Sequence, residues 1–215
     1  MEEADGRFDE SLEVMLKAWT ADAPWSHRDK YWQFDNVVVE PPTAQKPHPP
    51  LWMGAGSAAS IKKVAALGYN LLLDQYASVE QIGERIAIFK AEVQARGRVF
   101  DPLSVGVTRS INIVTTAADL ETAMVTRVAG RRRIDRLAQR PDGPGANRAH
   151  LSDAEIRASA LYGTPDEVAV MMQALRAIGA EYVLLNSAGG RPTLRRFARE
   201  LMPAFSDAAA ITAGA

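Results

Sequence analysis

Gly54, Gly56, Ser57 and Ser60 fall in one short stretch, PPLWMGAGSAASIKKVAALGYN from Pro49 to Asn70, and their order is that of an anion site. Leu51, Trp52 and Met53 are an apolar run that predicts a short buried strand. The two glycines after it, free of a Cβ, permit a tight turn and a close approach of backbone to ligand. Ser57 then occupies the N-cap position ahead of Ile61, Val64 and Ala65, whose spacing predicts a helix with one apolar face. The first N–H groups of such a helix have no partners within it, and together with the macrodipole they favour a phosphate or carboxylate. Ser57 and Ser60 can each add a hydroxyl donor. A plain structural role fits the same residues: Ser57 as a helix cap, with Gly54 and Gly56 serving the turn alone.

Other chemistry-bearing residues are more scattered. Arg109 interrupts the apolar strand region Leu103–Val114, where an unpaired charge is costly, so it marks the strand's mouth or is met by a carboxylate. Arg127, Arg131, Arg132, Arg133, Arg136 and Arg140 form a basic cluster without interleaved aromatics, which reads as a solvated helix face. His27 and His48 have no ligand partner near them in sequence, and no metal site is expected. No Ser/His/Asp triad or carboxylate pair stands out, and His150 reads as a loop residue.

The elements that must position these groups alternate. Phe8, Leu12, Met15, Leu16 and Trp19 predict an amphipathic helix over 7–20 that no strand precedes. A proline- and aromatic-rich stretch follows, with Val37–Val39 as a short strand outside any parallel sheet. After the strand–turn–helix unit, Asn70–Asp74 is a continuous apolar strand of the kind covered on both faces. Ser78 caps the next helix, whose stripe is Ile82, Ile86, Phe89 and Val93 and whose stop is Gly97. Leu103–Val114 is the third strand, and Thr116 with Asp119 opens another helix. Residues 141–160 are expected to be a mobile loop. Thr164, Pro165 and Glu167 spell a capped helix start, and Tyr182–Asn186 is the fourth strand, before a terminal helix and a frayed tail.

With 215 residues, 47% of them hydrophobic and 24% charged, the chain has the composition of one globular domain, 1–215. A formal net charge of −1 gives no bias toward nucleic acid or an anionic membrane surface. The absence of cysteine excludes disulfides, thiolate metal sites and cysteine nucleophiles. No apolar run is long enough to span a bilayer, and the acidic start MEEADGRFDE is not a targeting peptide, so a cytoplasmic protein is expected.

The run PPTAQKPHPPLWMGAGSAASIKKVAALGYNLLLDQ, Pro41 to Gln75, resembles the central segment of the bacterial-luciferase-like flavin monooxygenases, and a weaker similarity extends from Arg7 to about Pro203. The resemblance implies a TIM (β/α)8 barrel. It also implies a flavin phosphate on the turn Ala55, Gly56 and Ser57, with Ser60 one position into the helix and Asp74 and Gln75 flanking the flavin. It implies reduced FMN and oxygen acting on a small, largely apolar organic substrate, with a deazaflavin coenzyme as the alternative in one branch, and a flavin reductase as the supplier of reduced flavin. A non-catalytic half-barrel that keeps the binding turn is a further alternative.

A complete barrel of this type runs to about 250 residues and eight strands, whereas four βα units and a leading helix are legible here. The expected architecture is therefore a partial barrel, its C-terminal half, whose catalytic residues lie in an absent N-terminal half and are unknown. Open strand edges and an uncovered inner face predict pairing with that half or with a second copy, as a homo-oligomer.

Overall fold

Local hydrogen bonding sets where the helices begin. In the computed structural model, which describes residues 2–137, 139–140, 143–144 and 151–206, Ser57 Oγ accepts from the Ser60 N–H at 3.2 Å and Ser60 Oγ from the Ser57 N–H at 3.1 Å. Ser78 with Gln81, Ser152 with Glu155 and Thr164 with Glu167 repeat this reciprocal box. Each pairs two N–H groups that a helix start otherwise leaves without partners.

The chain forms two compact units, 1–51 and 52–215. The first holds α1 (Glu2–Thr20) and an antiparallel pair, β1 (Trp25–Arg28) with β2 (Gln33–Val37). The valine-rich strand expected over 37–39 lies earlier, because its antiparallel partner ends the ladder at Trp25↔Val37. What holds this pair to α1 is Glu10, a carboxylate only 6% exposed. It accepts from the N–H groups of Tyr31 (2.9 Å) and Trp32 (2.7 Å) and sits 3.1 Å from His27 Nε2. Asp29 completes a group whose candidate ligand atoms lie within 4.8 Å of one another. The three donors already on Glu10 make it a clamp.

Burial raises the Glu10 pKa, but the Trp32 and Tyr31 amides and His27 outweigh it, and the net shift is downward from 4.5. A carboxyl held below its unfolded value contributes stability that is complete above that value and is lost as pH falls through the lower folded one. The thermal midpoint of this unit is therefore expected to drop as pH falls below about 4.5. In Glu10→Gln it should be low already at neutral pH and lose most of that acid dependence. A variant that matches the parent at every pH would exclude the clamp.

The second unit begins with β3 (Trp52–Gly54), α2 (Ala58–Leu67), β4 (Asn70–Leu73), α3 (Val79–Ala95), β5 (Val105–Ile113) and α4 (Ala117–Leu137). A two-residue ladder follows, β6 (Gln139–Arg140) with β7 (Gly143–Pro144). Then come α5 (Asp153–Ala158), β8 (Leu161–Gly163), α6 (Pro165–Ala177), β9 (Tyr182–Ser187), α7 (Gly190–Arg196), a π-helical turn Phe197–Leu201 and α8 (Met202–Phe205). Of the loop expected over 141–160, residues 141–142 and 145–150 lie outside the described residues. The rest includes α5, tied to α4 by Arg132–Asp153 (2.5 Å) and Arg157–Glu121 (2.6 Å).

All pairings in the main sheet are parallel, which is what strand–helix alternation requires. β3 pairs β4, β4 pairs Val105–Val107 of β5, and β9 pairs Gly106–Ile111 of β5. These four are the strands legible in the sequence. The sheet has a fifth, β8, which pairs Ile111–Ile113. A strand has two edges and β9 runs along one, so β8 must extend the other edge beyond the point where β4 stops. The result is mixed α/β, a partial barrel.

The two faces of β5 differ. Val105, Val107, Ile111 and Ile113 point into the helix-covered core with Leu71, Leu73, Ile61, Ile82 and Phe89. Gly106 turns the other way, where an added Cβ would stand 2.8 Å from Leu184 Cδ1 and 3.1 Å from Trp52 Cζ3. Only glycine fits between those side chains without one of them shifting. Among the described residues, no helix is long and apolar enough to cross a membrane.

Candidate functional site

Parallel strands bring the segments after their C-terminal ends to one rim of the sheet. Ala55, Gly56 and Ser57 follow β3 there, Asp74 and Gln75 follow β4, and Asn186 lies near the end of β9 opposite Ser110. The turn after β3 is anchored by the Ala55 N–H, which donates to Leu72 O at 3.2 Å. Ser57 Oγ and Ser60 Oγ lie 2.8 Å apart, and Ser60 Oγ also donates to Ser57 O at 2.9 Å. The capping role thus takes up both hydroxyls. The N–H groups at the first positions of α2, Ala58 and Ala59, have no partner within the helix.

Arg85 completes this turn, and sequence reading did not single it out. Its guanidinium reaches across from α3 so closely that a Cβ on Gly56 would stand 3.6 Å from Nη2. Nη1 donates to Asp74 Oδ2 at 2.8 Å. The same carboxylate accepts from the N–H groups of Tyr76 (2.7 Å) and Ala77 (3.0 Å). Partial burial raises the Asp74 pKa, yet these amides and Arg85 bring it below 3.8. It stays ionised and holds the guanidinium against the glycine turn.

Arg109 is 2% exposed and is met by carbonyls rather than by a carboxylate: Asp74 O (3.2 Å), Thr108 O (3.0 Å) and Ala77 O (2.7 Å). It braces the Asp74–Ala77 segment from behind.

The basic cluster on α4 is not a uniformly solvated face. Arg127 and Arg131, four residues apart, share one side of the helix, and both guanidinium groups lie over the Tyr76 ring, at 4.9 and 4.5 Å from its centroid. Arg127 is 9% exposed; Nε donates to Ile156 O (2.9 Å), and Nη2 donates to Ser159 Oγ (2.9 Å) and Gln75 O (3.4 Å). These residues close one wall of a cavity of about 640 Å³ over the C-terminal end of β5. Ser110, Asn112 and Tyr162 line the strand side, with Ser110 Oγ 3.0 Å from Tyr162 Oη.

The luciferase-like monooxygenase family profile matches residues 1–182. An FMNH2-dependent dimethylsulfone monooxygenase of Pseudomonas putida is 24% identical over 213 residues, 92% of this chain and 57% of that protein. Among solved structures, the monooxygenase RslO1 from Streptomyces bottropensis superposes with a TM-score of 0.72 at 21% identity, over 96% of this chain and 63% of that one. An F420-dependent secondary alcohol dehydrogenase superposes with a TM-score of 0.69 at 14% identity, over 92% of this chain and 61% of its own. The chain thus spans about three fifths of the length of each. The family match covers most of the chain and agrees with the strand–turn–helix rim and the parallel sheet: the chain belongs to the luciferase-like monooxygenase family.

Proposed function

We propose that the chain is the flavin-phosphate-holding part of a flavin-dependent monooxygenase that uses reduced FMN and oxygen on a small organic substrate. The observation that carries this reading is the placement of Arg85 against the Gly56–Ser57 turn at the N-terminus of α2. A phosphate fits this donor set: the Ala58 and Ala59 N–H groups have no partner within α2, Ser57 and Ser60 fix the turn, and Arg85 supplies the countercharge. Asp74 holds Arg85 in place, and Gln75, next on the rim, flanks the ring. Bound flavin supplies the redox chemistry; this chain's residues bind it, orient it and shield it from water. The same anion site suits the phosphate of a deazaflavin coenzyme, and likeness to an F420-dependent dehydrogenase supports that alternative. A cytoplasmic location, self-association and a reductase partner belong to the same reading.

Titration of the purified chain with FMN, riboflavin and the deazaflavin coenzyme, followed by flavin fluorescence, tests it. FMN is expected to bind at least tenfold more tightly than riboflavin, which lacks the phosphate. Equal affinities would remove the phosphate from the turn, and binding of the deazaflavin alone would select the alternative. Turnover of reduced flavin with oxygen separates an enzyme from a non-catalytic binding half-barrel.

A further inference from the structure

We propose that a second, smaller cavity on the helix side of β5, between the start of α3, the end of α5 and α6, binds a small neutral aromatic molecule against Arg109 and acts as an effector site for the glycine turn. That the cavity takes such a ring stands by itself; that FMN affinity responds to it rests on the flavin reading of the turn.

Size limits the ligand first. The cavity has a volume of about 210 Å³. That is below the roughly 300–1,000 Å³ of pockets that enclose drug-sized molecules and above the roughly 150 Å³ at which an apolar cavity takes benzene. One ring with a short substituent fits. The wall is mainly apolar, with Ala77 and Val79 at the start of α3, Leu161 of β8, and Met171 and Leu175 of α6. The two side chains in it that carry polar atoms, Ser159 and Arg109, are already engaged. Ser159 Oγ donates to Ile156 O at 3.0 Å and accepts from Arg127 Nη2 at 2.9 Å. Arg109 Nη1 donates to Asp74 O and Thr108 O, and Nη2 to Ala77 O. A well-held water needs two to four polar partners, so an apolar body displaces water from such a space at little cost.

Arg109 sets the chemical class. Burial lowers its pKa to about 10, Asp74 opposes the fall, and Arg127 and Arg85 add to it, so the group is charged at neutral pH. Hydrogen bonds to a guanidinium lie in its plane, so the ties at Nη1 and Nη2 occupy edges and leave the faces, on which an aromatic ring stacks. With both Nη1 hydrogens committed, a carboxylate cannot take the two-pronged contact across the Nη1–Nη2 edge that would offset its desolvation. A saturated ring fills the same volume without the attraction to the cation.

Ala77 joins this cavity to the rim. Its carbonyl accepts from Arg109 Nη2 at 2.7 Å, its N–H donates to Asp74 Oδ1 at 3.0 Å, and that carboxylate holds Arg85 at 2.8 Å. No lining residue is shared with the larger cavity over the C-terminal end of β5. A ring packed on Ala77 and Arg109 favours the arrangement in which these bonds are closed, so its coupling to FMN is positive, and reciprocal.

Met171 in the cavity wall is the reporter. The full chain labelled with methyl-13C methionine is titrated with phenol, cyclohexanol and benzoate, the Met171 methyl signal being identified by its loss in Met171→Leu. Phenol is expected to shift that signal and to bind about threefold or more tightly than cyclohexanol, the gain from stacking on a buried cation, and more tightly than benzoate. Ala174→Phe and Ala158→Phe, at exposed positions on opposite lips of the cavity, should each abolish the shift, with thermal midpoints reporting that both variants are folded. An unmoved Met171 signal, equal affinity for phenol and either other probe, or a shift that survives in both variants would overturn the site. A Met171 shift that follows chain concentration and ignores phenol would give the cavity to a second copy and overturn it too. Calorimetric titration with FMN, with and without saturating phenol, tests the effector role: affinity should rise about threefold in the parent and stay unchanged in Ala174→Phe. Unchanged affinity in the parent overturns that role. A Met171 shift in a chain that binds no FMN supports the aromatic site and overturns the flavin reading.

Discussion

Arg85→Ala is expected to weaken FMN binding by about 50-fold and to leave riboflavin binding within about twofold of the parent. A charge-assisted contact to a phosphate is worth about 2–3 kcal/mol, and each 1.4 kcal/mol is tenfold in affinity. The effect is confined to the phosphate because the guanidinium lies against Gly56 and the α2 N-terminus. Arg85→Lys should recover part of the loss, since an ammonium keeps the charge but not the fork geometry. Asp74→Asn should cost less than Arg85→Ala, because it frees the guanidinium from one hydrogen bond without removing it. Equal loss of FMN and riboflavin would show that Arg85 acts on the fold of the turn and not on the phosphate. No loss of either would place the phosphate elsewhere. Fluorescence titration of the three variants against both ligands decides among these outcomes.

What was legible in the sequence is what local physics writes there. A capping box needs four consecutive residues, so Ser57, Ser78 and Thr164 could be read directly and all three cap their helices. The apolar runs at Trp52, Asn70, Val105 and Tyr182 are long or flanked sharply enough to announce strands. β8 is three residues directly after a short helix, and only its pairing with Ile111–Ile113 makes it a strand. Arg85 escaped notice because it lies on the helix surface between the buried Ile82 and Ile86, as many exposed arginines do. Its partners, Asp74 and Gly56, are 11 or more residues away. Arg127 and Arg131 were visible as a basic cluster, but the aromatic ring that receives them is Tyr76, on another strand's end. A charge's partner across a fold has no sequence spacing, so the anion turn could be located from its residues while its countercharge could not.

Phe89→Ala is expected to destabilise the second unit by about 3–5 kcal/mol, the range for truncating a buried phenylalanine. For a domain of this size that corresponds to a midpoint lower by about 10 °C. Phe89 is 2% exposed, lies in the core behind β4 and β5, and meets Phe100 edge-on at 6.4 Å between centroids. Its removal costs the transfer energy of the ring and leaves a cavity that close-packed neighbours fill only partly. Val99→Ala, at a position 94% exposed, serves as the comparison and should change stability by less than about 0.5 kcal/mol. Phe89 lies one turn beyond Arg85 on α3, toward the end of the helix that packs on Phe100 and away from its Ser78 cap. FMN affinity measured well below the variant's midpoint should therefore stay within about threefold of the parent. If affinity falls as far as it does in Arg85→Ala, α3 is not a rigid carrier, and the position of the countercharge depends on the whole core behind the sheet. If the midpoint moves by less than about 3 °C, the contacts of the Phe89 ring are not what fixes α3 against the strands, and the turn that Arg85 closes must be held from its own side, by Ala55 on Leu72 and by the Ser57–Ser60 box.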